Sequence, residues 1–133
     1  MKLEKPDLYR VAGDRLELLA SRCGRCSRLS FPKARYGCPA CGAEPDASME
    51  EVLDGRARLL SFATLHAQLA PGLQVPLVVG EVEIADGIVE EVVLGRDEQH
   101  LRPGMPVQAR PVPVGRNGEQ QIACRFMPLE AVS

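Results

Sequence analysis

Four of the five cysteines in this 133-residue chain form two C-x2-C pairs, and this array constrains the fold more than any other feature. The pairs are Cys23 with Cys26 and Cys38 with Cys41, and eleven residues separate them. Each C-x2-C turn brings two sulfur atoms to one side of a tight knuckle, and a short hairpin between the pairs closes the knuckles into a tetrahedral four-sulfur site. The spacing therefore predicts a zinc ribbon whose four cysteines hold a structural Zn²⁺, with no coordination position left for a substrate.

Three other uses of such an array are a pair of disulfides, an iron centre of the rubredoxin kind and reactive redox thiols. Disulfides require an oxidising compartment, whereas the N-terminal residues lack the apolar core of a signal peptide. A rubredoxin-like iron centre fills a small aromatic-rich domain, whereas only 4% of this chain is aromatic and a longer segment follows the array. Zinc therefore fits the array better than these alternatives.

The rest of the chain is predicted to be mainly β. Twelve glycines and eleven prolines break the sequence too often for long helices. Beyond the ribbon, short apolar segments alternate with turn signals, which is typical of a small barrel or sandwich. The predicted strands there are 49–53, 56–65, 77–84, 88–94, 106–114 and 122–129, with turns at 85–87 and 115–118 and a helical turn at 97–101. The first two are either two strands or one strand bent at 54–55.

The N-terminal part is predicted to contain an arm and the ribbon. Residues 1–14 form the arm, in which Asp7 caps a brief helix that Gly13 ends. The ribbon covers residues 15–46 and includes short strands at 15–21 and 29–31. Residues 47–133 form the β domain.

Charge is distributed unevenly along the chain. Residues 1–47 carry nine lysines and arginines against six acids, whereas residues 48–133 carry seven against twelve. The basic excess lies among the cysteines, at Arg22, Arg25, Arg28, Lys33 and Arg35. This cluster is the first place to expect a phosphate-bearing partner.

The sequence offers few candidates for catalysis. Cys124 stands alone in an apolar strand and is predicted to be a small buried hydrophobe. His66 and His100 are expected at the surface, and no Gly-rich phosphate loop or nucleophile motif is present. We expect no catalysis by the chain alone. No apolar run approaches the roughly 18 residues of a membrane span, so a cytoplasmic protein without a membrane partner is expected.

The order of arm, four-cysteine ribbon and small β domain resembles the domain-of-unknown-function 35 (DUF35) family, which joins a rubredoxin-like zinc ribbon to an OB-fold. The matching segments are 18–26, 31–32, 38–42, 55–64, 75–79 and 101–107. Family members assemble, as non-catalytic or substrate-shaping subunits, with ketothiolases, thiolase-type acetyltransferases or steroid side-chain aldolases. The resemblance thus implies an OB-fold at 47–133 and an accessory subunit of a thiolase-like or lipid-transfer-protein-like enzyme that acts on acyl-CoA.

Within that interpretation, Arg28, Lys33 and Arg35 are candidates for binding CoA phosphates or the partner subunit. Solvation of an ordinary surface is the alternative for these cations. The apolar residues Leu69, Leu73 and Val75 either pack on the partner or cap the barrel.

Nucleic-acid binding is the competing function, because zinc ribbons and OB-folds recur in nucleic-acid-binding proteins. An OB-fold that binds single strands uses stacking aromatics and a positive groove. The β domain contains only Phe62 and Phe126 as aromatics and has an excess of acids, so the sequence disfavours this function.

Overall fold

The computed structural model describes residues 2–68, 74–85, 87–116 and 118–129, and these contain ten β-strands and no α-helix. The strands are β1 (Lys2–Leu3), β2 (Tyr9–Ala12), β3 (Arg15–Cys23), β4 (Leu29–Ser30), β5 (Ser48–Leu53), β6 (Arg56–Leu65), β7 (Leu77–Ala85), β8 (Ile88–Val93), β9 (Pro106–Arg116) and β10 (Glu119–Pro128). Single 3₁₀-helical turns lie at Pro45–Ala47 and Glu98–His100. The second turn is where the sequence predicted one.

Six strands form a curled sheet in the order β1-β10-β9-β6-β7-β8. Directly after β8, Leu94 makes a parallel bridge to Phe126 in β10, and the Gly95 N–H donates to the Phe126 carbonyl at 2.9 Å. This contact brings the β8 end of the sheet back against β10, so the sheet forms a half-barrel. The mainly β fold, with a ribbon followed by an OB-fold barrel, is therefore confirmed.

A second sheet surrounds β3. Strand β5 pairs with one side of β3, and β2 and β4 pair with the other side. Along β3 the side chains of Leu16, Leu18 and Ala20 are buried, as the alternation in the sequence predicts. The strand ends at Cys23, so its chain leads directly from the core into the first knuckle.

One hydrophobic core serves both sheets. The fully buried side chains of Leu16, Leu59, Val82 and Val107 meet there, together with Phe126. Because Leu16 comes from β3 and the others come from the barrel, the strand that carries Cys23 is anchored in the barrel core. The domain boundaries at 14/15 and 46/47 stay predictions.

The brief helix predicted after Asp7 is wrong. Tyr9–Ala12 is a strand paired with β3, and Tyr9 lies opposite Leu18 with its ring buried in the core. One capping residue stabilises a helix weakly, whereas pairing with β3 satisfies the backbone and buries an aromatic ring. Gly13 makes the turn into β3, with φ of 69°, instead of ending a helix.

The interruption at 54–55 separates two strands that lie in different sheets, β5 and β6. Gly55 has φ of +82°, and a Cβ placed there would lie 2.2 Å from the Leu16 carbonyl oxygen. The β7–β8 and β9–β10 hairpins form as predicted. Outside the described residues lie position 86 between β7 and β8, position 117 between β9 and β10, and Leu69 and Leu73 between β6 and β7. Within the described ranges, no helix is long and apolar enough to cross a membrane.

Candidate metal centre and the surface around it

The two cysteine knuckles have the same backbone geometry. The Ser27 N–H donates to the Cys23 carbonyl at 2.9 Å, and the Gly42 N–H donates to the Cys38 carbonyl at 3.0 Å. Ser27 and Gly42 both have positive φ, 67° and 75°. Ser27 therefore adopts the left-handed conformation that glycine provides in the second knuckle, although an L-residue pays a steric cost there.

The four sulfur atoms of Cys23, Cys26, Cys38 and Cys41 converge on one point. All four Sγ atoms lie within 4.8 Å of one another. The Cys23–Cys41 distance is 3.7 Å and the Cys26–Cys38 distance is 3.5 Å. A tetrahedral zinc site with Zn–S bonds of about 2.3 Å has S–S edges of about 3.8 Å, so the donor set fits Zn²⁺ in both type and size. The four cysteines are thus positioned to bind one metal ion.

Backbone N–H groups inside the knuckles favour the thiolate form that binds metal. The Cys26 N–H lies 3.5 Å from the Cys23 sulfur and lowers the pKa of Cys23. In the second knuckle, the N–H of Cys41 lowers the pKa of Cys38 to about 6. Each knuckle thus stabilises negative charge on its first sulfur before a metal adds its own charge.

Arg22 ties the first knuckle to β5. Its guanidinium donates to both carboxylate oxygens of Glu51, at 2.7 and 2.9 Å, and its third nitrogen donates to the Ser27 carbonyl at 2.7 Å. The Gly24 N–H donates to the Ala47 carbonyl at 2.8 Å. A Cβ at Gly24 would lie 2.6 Å from that same oxygen, so only glycine allows this approach. The first knuckle is therefore held both against β5 and against Ala47, which directly precedes that strand.

The structure brings Arg28, Lys33 and Arg35 to the wall of one groove of about 870 Å³. Two of these three cations pair with acids of the same chain. Lys33 forms an ion pair with Glu50, and Arg35 pairs with Asp7 at 2.8 Å. Arg28 is exposed and forms no ion pair with any described residue. Of these three groove cations, Arg28 is therefore the one without an acid partner among the described residues.

The sequence did not reveal these two acid partners, because Asp7 and Glu50 are distant from the ribbon cations in the chain. Tyr36, which also lines the groove, is 97% exposed and was not singled out by its sequence context. Its position between Arg35 and Gly37 is the one available signal, since Gly37 has φ of +115° and marks a turn at the groove edge.

Other candidate groups lie away from the metal centre. Cys124 is half-buried in β10, not fully buried as predicted, and burial raises the pKa of its thiol to about 12. It is therefore protonated at neutral pH and is not an activated nucleophile. His66 and His100 are exposed, as predicted.

Comparison with protein-family models identifies both parts of the chain. The model described as the ChsH2 rubredoxin-like zinc ribbon domain matches residues 10–46. The model described as the ChsH2 C-terminal OB-fold domain matches residues 50–111. Together the two matches cover more than half of the chain in the order that the structure shows. No curated protein sequence matches significantly.

Among solved structures, this chain is similar to one described as the Ltp2-ChsH2(DUF35) aldolase. The two share 25% sequence identity, the match covers 84% of each chain, and the TM-score is 0.64. The similarity therefore includes both the ribbon and the barrel.

Proposed function

We propose, from the fact that this chain belongs to the ChsH2 family of DUF35 proteins, that it is an accessory subunit of an enzyme that forms or cleaves C–C bonds in acyl-CoA thioesters. The observation that carries the proposal is the match to the Ltp2-ChsH2(DUF35) aldolase over 84% of both chains. The proposed partner is a thiolase-like or lipid-transfer-protein-like subunit, and that subunit supplies the catalytic residues.

The side chains of the described residues support a role in assembly over one in catalysis. The Cys124 thiol has a pKa of about 12, and both histidines are exposed. The thiol is therefore protonated at neutral pH and is not an activated nucleophile, and neither histidine lines the groove beside the ribbon. A chain of this kind acts on a reaction through the surfaces that it presents to a partner and to the substrate.

The metal is proposed to be a structural Zn²⁺ held by Cys23, Cys26, Cys38 and Cys41. A zinc ion with four thiolate ligands has no open position, so it contributes folding energy and not Lewis-acid chemistry. Its role is to fix the segment between the knuckles, in which β4 pairs with β3. Residues 28–36, which line the groove, lie in that segment and are presented with little loss of conformational entropy on binding.

Arg28, Lys33 and Arg35 are proposed to contact either CoA phosphates or the partner subunit. Arg28 is the foremost of the three, because Lys33 and Arg35 already pair with Glu50 and Asp7. An anion that binds Arg28 displaces only water, whereas one that binds Arg35 also competes with a carboxylate.

Co-expression with candidate thiolase-like and lipid-transfer-protein-like subunits tests the proposal. We expect the two chains to co-purify and to elute as one species of defined stoichiometry in size-exclusion chromatography with light scattering. We also expect thioester turnover by the complex and none by this chain alone. Failure to associate with any thiolase-like or lipid-transfer-protein-like candidate, or turnover by the isolated chain, contradicts the proposal.

A further inference from the structure

The barrel has an open seam along one edge of β10. That edge pairs with β1 at Gln121 and Ile122, and it meets Leu94 at Phe126. Between these two contacts, around Cys124, no strand in the described part of the chain pairs with it. A pocket of about 200 Å³ lies at this gap, between β10 and β8. We call it the seam pocket.

The walls of the seam pocket are mainly apolar and come from both sheets. They include Leu8, Leu18, Phe31, Val79, Ile84, Val92 and Phe126. The same walls carry a few polar groups, among them the Tyr9 hydroxyl and the carboxyl group of Glu90, which is half-buried. An apolar cavity with a few convergent polar groups is typical of a small-molecule site.

Hydrogen bonds hold the N-terminal arm over the seam pocket. The Lys5 N–H donates to the Tyr9 hydroxyl at 3.1 Å, and the Leu8 N–H donates to the Lys5 carbonyl at 3.1 Å. The Leu19 N–H then donates to the Leu8 carbonyl at 2.8 Å, which connects the arm to β3. These hydrogen bonds fix the arm as one wall of the pocket, so little ordering of the arm is needed on binding.

The seam pocket adjoins the basic groove beside the ribbon. Glu4, Lys5, Leu8, Phe31 and Pro32 line both spaces. The groove also contains the three ribbon cations described above, and Glu4 and Asp7 are the acids that line it. Even when Glu50, the partner of Lys33, is added to these acids, the four cations exceed them by one. Inside the seam pocket Glu4, Glu90 and Glu91 outnumber Lys5 and Arg125, so an anionic group is favoured in the groove and disfavoured in the pocket.

We propose that the seam pocket binds the aliphatic chain of a ligand whose anionic end lies in the adjoining basic groove. A cavity of about 150 Å³ with similar apolar walls is large enough for benzene, so about 200 Å³ accommodates a short acyl chain. The inference deepens the proposed function. It rests on that function only where it identifies the bound aliphatic chain as the acyl group of a thioester. Binding of an aliphatic anion by the isolated protein is independent of any partner.

Octanoate is the probe, titrated into the zinc-loaded full chain and followed by two-dimensional NMR of backbone amides. We expect saturable shifts at Val92 and Cys124. Octanol, which has the same chain and no charge, should bind more weakly, and Lys5→Gln or Arg28→Ala should reduce the affinity for octanoate without changing that for octanol. Absence of saturable shifts at the seam overturns the proposal. Equal affinity for both probes overturns its anionic part.

Two variants fill the pocket from different elements, namely Leu8→Trp from the arm and Val92→Phe from β8. Each should weaken octanoate binding by about tenfold or more, because room for a few methylene groups is lost. Val11→Phe is the matched control, since Val11 is 47% exposed on β2 and does not line the pocket. Unchanged octanoate affinity in a folded filling variant contradicts the assigned site.

A measurement on the unmodified chain covers the case in which both filling variants fail to fold. Intermolecular NOEs should connect the methylene protons of octanoate with the side-chain methyl groups of Leu8 and Val92, because both residues line the pocket. Absence of these NOEs at saturating octanoate contradicts the proposal. If octanoate binds as described and no enzyme subunit associates, the proposed function fails while the binding site stands. If an enzyme subunit associates and octanoate does not bind, the proposed function stands and only the proposed binding site is contradicted.

Discussion

Ser27 and Gly42 adopt the same left-handed backbone conformation, and each donates its N–H to the carbonyl of the cysteine four residues earlier. Their φ angles are 67° and 75°. The two knuckles thus place a serine and a glycine in the same left-handed backbone conformation. Glycine adopts it without steric cost, whereas serine does not.

Ser27→Gly is therefore expected to raise the free energy of unfolding, and Gly42→Ser to lower it, by ~1 kcal/mol each. No atom lies within 4 Å of a Cβ built at Gly42, so its effect comes from the backbone alone. Urea unfolding of the zinc-loaded variants measures both changes. Equal stabilities of the two variants and the unmodified chain would show that the knuckles do not require this conformation.

Metal content and folding of the ribbon are expected to change together. Protein purified without added metal should contain about one zinc per chain, and Cys41→Ser should lose it, because metal-binding energy is largely the folding energy of such a ribbon. Mass-spectrometric metal analysis measures the content, and NMR amide dispersion reports the fold. Signals of Leu59 and Val82 should keep their native positions, since both lie in the barrel core. Iron in natively expressed protein, or no metal, contradicts the zinc assignment.

Gly55→Ala is expected to destabilise the protein much more than Gly104→Ala. Both glycines have positive φ, but only at Gly55 would a Cβ collide with the Leu16 carbonyl, at 2.2 Å. At Gly104 nothing lies within 4 Å, so that variant has only the backbone cost of about 1 kcal/mol. Thermal unfolding compares the two. A similar loss in both would mean that the β5–β6 turn accommodates a side chain by a small shift.

Glu90→Gln is expected to stabilise the fold at neutral pH and not at pH below about 4. Burial raises the pKa of the Glu90 carboxyl above 4.5 in the folded chain. The unfolded chain therefore loses this proton first as pH rises, and the stability that the neutral carboxyl contributes is lost as pH rises through the folded pKa. Denaturant unfolding at several pH values measures this dependence.

The Glu90→Gln variant keeps the other charged groups that line the seam pocket, which are Glu4, Lys5, Glu91 and Arg125. The matched control is Glu91→Gln, because Glu91 is exposed on the same strand. If Glu91→Gln gives the same stabilisation at neutral pH as Glu90→Gln, general charge reduction explains the effect and burial of Glu90 does not.

Arg28→Ala is expected to weaken acyl-CoA binding by the assembled complex by ~1 to 3 kcal/mol if Arg28 contacts a CoA phosphate, with a smaller loss at high salt. If Arg28 instead contacts the partner, the dissociation constant of the subunits should rise. Lys33→Ala and Arg35→Ala should have smaller effects, because their anionic partners Glu50 and Asp7 already neutralise them. Calorimetric titration of both equilibria separates the cases. No change in either equilibrium identifies these cations as ordinary surface.

Local sequence signals predicted most of the elements correctly. The Cys23 to Cys41 array, the alternation in β3 and the two hairpins each depend on residues close together in the chain, and the structure forms all of them. The helix after Asp7 failed for the opposite reason. Whether residues 9–12 form a helix or a strand depends on whether Tyr9 can pair with Leu18 and reach a core made by distant strands. No local pattern contains that information.

The sequence by itself determined which four cysteines come together in a position to bind a metal ion, and it determined the succession of ribbon and barrel, because knuckles and strands are encoded by short-range spacing and periodicity. Only the tertiary structure decided which charges remain unpaired and where an apolar space stays open. Asp7 pairs with Arg35, and Glu50 with Lys33, only because the arm and β5 pack beside the segment between the two knuckles. The seam pocket exists because, within the described residues, the chain directly after β8 meets β10 at one bridge, between Leu94 and Phe126, and this closure depends on the curvature of a six-stranded sheet.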